Sequence, residues 1–361
     1  MGPKVRLDIT ARCQDAVEFE YELKQRVIGQ TSAVTHAVEL IQTWMASLGD
    51  PDHPAGVMLM LGPTGTGKTH MAESVAEVLL GSHKNLFKLN CADYQDSYQT
   101  NRLLGPPPGY LGYDKDKATP LLTQEILDKY QTNDMKCNVM LVDEIEKADD
   151  ALFQALLGIF DKAELMQSNG QKIDFTKTFI FVTSNLGAKK LDGNKTGFLQ
   201  VEESIERIDR AMEISIKRAV EKKFTPEFVN RFDKIVTFKT LTPEDMKQIL
   251  ELQLLAIRRR ILLSNDHRKF TFRLSDRAKH YFLENGYSKK YNARPLKRLL
   301  ESSIVNPLAN LLMTGQLELG DMVVIDYKRD KLVYDKVPSA HVIQEVPPPV
   351  PAADPLVTAA S

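Results

Sequence analysis

What this chain has little of narrows it before any motif is read. Its 361 residues hold one tryptophan and three cysteines, Cys13, Cys91 and Cys137, far apart and without a CxxC pair. That excludes a disulfide framework and a zinc ribbon and points to a reducing compartment. An excess of one charge is missing too: 47 Lys and Arg stand against 48 Asp and Glu, so no overall field draws the chain to nucleic acid or an anionic membrane. No apolar run approaches the roughly 20 residues that span a bilayer, and residues 1–10 alternate charged with apolar side chains without the apolar core segment of a secretory signal. A cytoplasmic protein with neither membrane nor nucleic acid as partner is expected. The seven histidines show no HExxH spacing, so no metal is expected beyond one that a bound nucleotide brings with it.

What is present is ordinary globular material, 43% hydrophobic and 26% charged, long enough for roughly two structured units at about 150 residues each. Residues 1–19 carry no strong period and are expected to be a flexible N-terminal segment, with order starting near Val17. Residues 57–61, 86–89, 139–142 and 179–183 are short apolar runs that read as buried strands, separated by amphipathic stretches. Such alternation predicts an α/β domain with a parallel central sheet flanked by helices, over residues 20–238. Beyond Phe238 the pattern turns mostly helical, over 243–263, 275–284 and 295–312. A β-hairpin over 322–326 and 331–334 then closes a smaller domain spanning 239–337. The final segment, 338–361, holds six of the 18 prolines and almost no charge, so it is expected to be a disordered tail.

The chemistry is concentrated after the first of those strands. Gly62-Pro63-Thr64-Gly65-Thr66-Gly67-Lys68-Thr69 follows it directly and opens a helical stretch, which is the context a phosphate-binding P-loop requires. Its glycines let successive backbone N–H groups turn toward anionic oxygens. The helix N-terminus adds partial positive charge, and Lys68 supplies a point charge for the β and γ phosphates. Thr69 is placed to ligate Mg²⁺. The second half of such a site is an apolar strand ending in carboxylates, and Val142-Asp143-Glu144 fits. Asp143 would hold the metal, while Glu144 would polarise the attacking water, since phosphoryl transfer needs positioning and charge neutralisation more than covalent chemistry. Glu146 and Lys147 read as surface. ATP and Mg²⁺ are the expected cofactors.

With these two elements in place the chain resembles the AAA+ ATPases, specifically the C-terminal ATPase module of the Clp unfoldases and disaggregases. The resemblance runs over residues 20–337 and rests on six ordered motifs: Val27-Ile28-Gly29-Gln30, the run from Gly105 through Gly109-Tyr110-Leu111-Gly112 to Tyr113, Val142-Asp143-Glu144-Ile145-Glu146-Lys147-Ala148, Thr183-Ser184-Asn185, Phe228-Val229-Asn230-Arg231-Phe232-Asp233, and Asn292-Ala293-Arg294-Pro295. It implies an AAA+ P-loop fold followed by a Clp-type small domain. It also implies roles for single residues. Asn185 would be the first sensor, holding the lytic water beside Glu144. Arg231 would be the arginine finger that reaches the γ-phosphate of a neighbouring subunit, and Arg294 the second sensor. Val27 and Ile28, with Ile249, would form the adenine pocket. A shared active site implies a ring, and the family implies a homo-hexamer.

Gly109-Tyr110-Leu111-Gly112 resembles the loop that grips polypeptide in the central channel of Clp rings. Flanking glycines let the segment move, and the tyrosine ring can press on any extended chain without reading its sequence. A nucleic-acid translocase would show Lys or Arg at that tip. The leading expectation is therefore an ATP-driven unfoldase that threads protein substrates. A regulatory subunit that docks a peptidase ring is a second reading, resting on Gly197 and Phe198, where protease-coupled relatives carry a hydrophobic docking loop; Thr196 departs from that pattern. A third is a nucleotide switch that assembles or releases one partner without threading. Departures from the family occur after Tyr113, and at residues 161–165, where Asp-Lys-Ala-Glu-Leu stands for the usual Asp-Gly-Arg-Leu. No substrate-binding N-terminal domain, first ATPase ring or coiled-coil insert precedes residue 20, so the expectation is an excised fragment or a compact relative served by an adaptor. The run Arg258-Arg259-Arg260 reads as the solvated face of a helix.

Overall fold

The computed structural model describes residues 13–105, 120–167, 170–187, 202–264, 269–287 and 292–337. The chain divides into two compact units: Met1–Asp245 with Lys289–Ala293, and Met246–Ser288 with Arg294–Ser361. Among the described residues no helix is long and apolar enough to cross a membrane.

The first unit is built on a five-stranded sheet in the order β2-β3-β6-β1-β7, with every neighbouring pair parallel. The strands are β1 (Gly56–Leu61), β2 (Phe87–Asn90), β3 (Asn138–Asp143), β6 (Thr178–Ser184) and β7 (Lys234–Thr237). All residues of β1 and β6 are buried, as expected of parallel strands covered on both faces. Alternation across the pleat sends Val57, Leu59 and Leu61 to one apolar cluster and Met58 and Met60 to the other, each face burying its own set of helices.

On the Met58 side lie α1 (Gln14–Arg26), α2 (Thr31–Met45) and α3 (Lys68–Leu80). Helix α1 corrects the expected N-terminal boundary: residues 14–19, read as part of a flexible segment, are its first turns. Ala16, Leu23 and Val27 are buried and Phe19 is partly buried, which is a helical stripe. The segment is otherwise so polar that the stripe does not stand out in the sequence. On the Leu59 side lie α4 (Ser97–Leu104), α5 (Gln124–Asp128), α6 (Asp150–Lys162), α7 (Glu202–Lys223) and α8 (Pro226–Val229). Here Phe153, Phe160, Phe224, Phe228 and Phe232 pack ring against ring. A two-stranded hairpin, β4 (Glu164–Met166) with β5 (Lys172–Asp174), follows α6. This hairpin and β7 were not legible as strands, because each of these strands holds at most two apolar residues, too few to mark an apolar run.

The second unit contains most of α9 (Pro243–Leu263), β8 (Thr271–Leu274), α10 (Asp276–Gly286), α11 (Arg294–Leu300), α12 (Asn306–Met313), β9 (Met322–Lys328) and β10 (Lys331–Val337). Its sheet runs β10-β9-β8, with the expected hairpin closed at Arg329 and Asp330, both at positive φ. Strand β8, unseen in the sequence, joins it in parallel. Between α11 and α12 the helix widens to π geometry over Glu301–Val305. Pro307 has no N–H for the carbonyl four residues back, that of Ser303, and the Tyr334 hydroxyl donates to that carbonyl at 2.6 Å. The arginine run is only partly a solvated face: Arg258 donates from Nε to the Phe272 carbonyl at 3.1 Å and lies over the Phe272 ring, so this guanidinium is packed.

Candidate functional site

Sheet order explains how distant sequence segments meet. β6 lies between β1 and β3, with Leu61 opposite Ser184 and Val142 opposite Val182. The loop after β1, the residue after β6 and the carboxylates ending β3 therefore share the carboxyl edge of the sheet, where open parallel sheets place their ligands.

The loop after β1 is closely fitted. A Cβ on Gly62 would stand 2.8 Å from the Phe238 carbonyl oxygen, so only glycine is accommodated there. Gly67 takes φ 103° as the residue that opens α3, a left-handed geometry that suits glycine. Thr66 is buried and donates from its hydroxyl to the Pro63 carbonyl at 2.9 Å. Lys68 is only 7% exposed. Its ammonium donates to the carbonyls of Gly62 at 2.7 Å and Pro63 at 2.8 Å and to Asn185 Oδ1 at 2.9 Å. Among the described residues no carboxylate bonds it. Burial pushes the amine down to about 8, opposed by the negative charges of Glu146, Asp143 and Glu144. A buried cation held by three neutral oxygens can exchange them for phosphate oxygens at little cost.

Around it, Thr69 Oγ1 stands 3.4 Å from Asp143 Oδ2, a hydroxyl and a carboxylate spaced to share a hard divalent cation. The other Asp143 oxygen accepts from Thr183 Oγ1, which in turn accepts the Glu144 N–H at 3.0 Å. Glu144 occupies the left-handed region at φ 58° and ψ 49°, unusual for a residue with a Cβ and common at functional sites. Its Oε1 accepts from Asn185 Nδ2 at 3.2 Å and its Oε2 from Lys147 Nζ at 2.6 Å. Lys68, Asn185 and Glu144 thus form one connected chain, although Lys68 and Asn185 are 117 positions apart.

Other expected residues fall as follows. Val27 is buried and Ile28 half-buried, just ahead of Gly29 at φ 75°. Ile249 and Arg294 belong to the second unit, half-buried on α9 and opening α11. Arg231 is ion-paired with Asp161, and its second guanidinium nitrogen lies 3.8 Å from Glu227. Gly109, Tyr110, Leu111 and Gly112, and likewise Gly197 and Phe198, lie outside the described residues.

Sequence reasoning missed four participants. Glu146, read as surface, is half-buried: its Oε1 accepts the Asn185 N–H at 3.1 Å and its Oε2 is buried without a partner among the described residues. Thr183 was named only as a strand end and as a member of the Thr183-Ser184-Asn185 motif, with no role of its own. Gln30 is buried and spans two segments, donating to the Thr66 and Lys239 carbonyls at 3.3 and 2.9 Å and accepting the Lys239 N–H at 3.0 Å. Asn292, at φ 45° and 1% exposed, donates to the Thr64 carbonyl at 3.0 Å. Membership in a quoted motif was the only sequence signal for any of them.

Comparisons with known proteins match most of the chain. The family model described as an AAA domain of the Cdc48 subfamily matches residues 53–235, and that of the C-terminal, D2-small domain of ClpB matches residues 241–325. The chaperone protein ClpB of Gloeobacter violaceus is 33% identical over 338 residues, covering 93% of this chain and 36% of that protein. ClpB of Nitratidesulfovibrio vulgaris is 36% identical, covering 86% of this chain and 34% of its own length. The chain thus spans about a third of the length of these curated relatives. A closed-state electron cryomicroscopy reconstruction of Hsp104 with ATPγS and FITC-casein superposes with a TM-score of 0.72 at 27% identity, over 90% of this chain and 52% of that one. A phosphate loop, paired carboxylates and an asparagine on adjacent parallel strands, within a chain half covered by the AAA model and followed by the ClpB small-domain match, identify this protein as a member of the AAA+ ATPase family of the ClpB and Hsp104 type.

Proposed function

We propose that this chain binds ATP with Mg²⁺ and hydrolyses it in a ring of its own copies, six by family resemblance, and that hydrolysis drives polypeptide through the central opening. The observation that carries the reading is the connected chain from Lys68 through Asn185 to Glu144. It joins the group suited to the γ-phosphate with the carboxylate suited to the attacking water, through an amide able to orient that water. Thr69 and Asp143 would hold the metal, whose chemistry is to neutralise charge on the β and γ phosphates. Val27, Ile28 and Ile249 would flank the adenine, and Arg294 would report on the γ-phosphate. Arg231 would act on the nucleotide of a neighbouring copy. Tyr110, between Gly109 and the Leu111-Gly112 pair, would grip the substrate. Globular proteins are held by only about 5 to 15 kcal/mol, so repeated pulls on a local element suffice to unravel them.

Two variants test the reading. Glu144→Gln is expected to bind ATP and stop turnover, and steady-state hydrolysis by that variant would remove Glu144 from its role. Tyr110→Ala is expected to hydrolyse ATP without remodelling a model unfolded protein. Full remodelling by that variant would exclude threading and favour a switch that assembles or releases a partner.

A further inference from the structure

Asn185 follows the last residue of β6, so its backbone N–H has lost the sheet partner that the strand residues keep. It is not left to water. Glu146, in the single 3₁₀ turn Ile145–Lys147, turns its carboxylate inward, and Oε1 accepts that N–H at 3.1 Å. The left-handed backbone at Glu144 reverses the chain immediately before this turn. Two glutamates two residues apart thereby hold one asparagine by different groups: Glu144 takes the side-chain amide and Glu146 the main-chain amide. With Lys68 on Oδ1, the Asn185 backbone N–H and both ends of its side-chain amide are committed. Only the Glu146 contact fixes the backbone from which the side chain projects.

Among the described residues the second Glu146 oxygen is buried without a partner. A carboxylate half unsatisfied in the interior costs free energy relative to an exposed one, and such groups in native structures call for an explanation. A reading of Glu146 as surface charge supplies none.

We infer that Glu146 is a positioning residue for hydrolysis: its carboxylate oxygen anchors the main chain of Asn185 and so fixes where the Asn185 amide holds the water beside Glu144. This inference rests on the ATPase reading above. A misplacement of about 1 Å at a reacting group costs on the order of 100-fold in rate, so the anchor governs turnover more than nucleotide affinity, which is set at the phosphate loop.

The experiment compares Glu146→Gln, which keeps an acceptor oxygen at the same reach without the charge, Glu146→Asp, which keeps the charge but withdraws the oxygen by one methylene, and Glu146→Ala, which keeps neither. Steady-state ATP hydrolysis by the full chain should fall by about 10- to 100-fold in kcat for the Ala and Asp variants, with KM for ATP within about twofold. The Gln variant should recover most of the loss. The nucleotide-free chain gives a second readout by amide hydrogen exchange: the Asn185 N–H should be protected in the wild type and in Glu146→Gln and exchange at least about 10-fold faster in Glu146→Ala. Wild-type kcat in Glu146→Ala, a loss in Glu146→Gln matching that in Glu146→Ala, a parallel rise in KM, or Asn185 protection that survives Glu146→Ala would each overturn the inference. A wild-type chain without ATPase activity would instead overturn the ATPase reading and with it the catalytic consequence, while the exchange data would still decide the Asn185 anchor.

Discussion

Two cations of the first unit, Lys68 and Arg231, are both assigned to the nucleotide's phosphates, and the chain treats them in opposite ways. Lys68 is buried, and every atom bonded to its ammonium is a neutral oxygen from its own surroundings. Arg231 keeps a third of its side chain exposed and is already neutralised by the Asp161 carboxylate. The first arrangement suits an anion site within one chain, where burial withholds solvent and the nearby charges of Glu146, Asp143 and Glu144 act without a direct bond to the ammonium. The second is a paired cation that would have to leave the Asp161 carboxylate before it could serve a neighbouring copy, as proposed. That difference is what the proposed division of the site between copies would require: a binding half that is always ready, and an accelerating half that would engage only when a neighbour presents its nucleotide.

The comparison is broken most severely at Lys68. Lys68→Ala should reduce binding of a fluorescent ATP analogue below detection and abolish turnover with it, because no other described side chain takes its place between Gly62, Pro63 and Asn185; retained affinity would show that the backbone cradle suffices. Arg231→Ala should leave that binding within about twofold and lower turnover by about 10³-fold or more, the range typical of an arginine finger. Mixing it with Glu144→Gln subunits should restore measurable hydrolysis, since some interfaces then pair an intact Arg231 with an intact Glu144. Failure to recover any turnover across mixing ratios would count against a shared site.

A subtler test uses protons. The folded Lys68 amine is pushed down to about 8 from an ordinary 10.5, so below pH 8 the charged form is present and its burial costs the fold. Between about pH 8 and 10.5 the unfolded chain binds more protons than the native one, and this residue's contribution to stability rises with pH. Anionic phosphate favours the charged amine, so nucleotide binding at pH 8 should take up about half a proton. At pH 6.5 Lys68 should contribute none. Calorimetry in two buffers of different ionisation enthalpy measures the uptake, and an equal value at both pH settings would show that the buried amine is not titrating there. The smallest effect is expected in the other unit. Tyr334→Phe removes the donor to the Ser303 carbonyl beside Pro307 and should cost about 1 kcal/mol in denaturant unfolding. Nucleotide affinity should be unchanged, so a shift in affinity with that variant would mean that the π turn itself influences the nucleotide site.

The legible part of the site consists of residues whose type is dictated by local backbone or by charge. Gly62 and Gly67 are required by close approach and positive φ, Lys68 and Asp143 carry the opposite charges that a proposed phosphate and its metal would need, and each sits beside a buried strand that periodicity reveals. The less legible part consists of ordinary polar residues whose importance is a matter of neighbours. Nothing in Glu146 as a letter separates it from Lys147 beside it, yet one reaches inward to Asn185 and the other lies exposed against Glu144. Gln30 and Asn292 likewise acquire meaning from carbonyls 36 and 228 positions away. The short strands β4, β5, β7 and β8 were missed for the same reason, since three or four residues become a strand through the partner they pair with.

The sequence by itself determined that an alternating α/β unit with a phosphate loop is followed by a mainly helical one, because hydrophobic period, glycine requirement and charge are local properties written residue by residue. Only the tertiary structure decided that β6 lies between β1 and β3, and therefore that Lys68, Asn185 and Glu144 touch, that Glu146 turns inward, and that Arg231 rests on Asp161. Contacts across 39 to 117 positions are chosen by the packing of the whole sheet, which no local window contains.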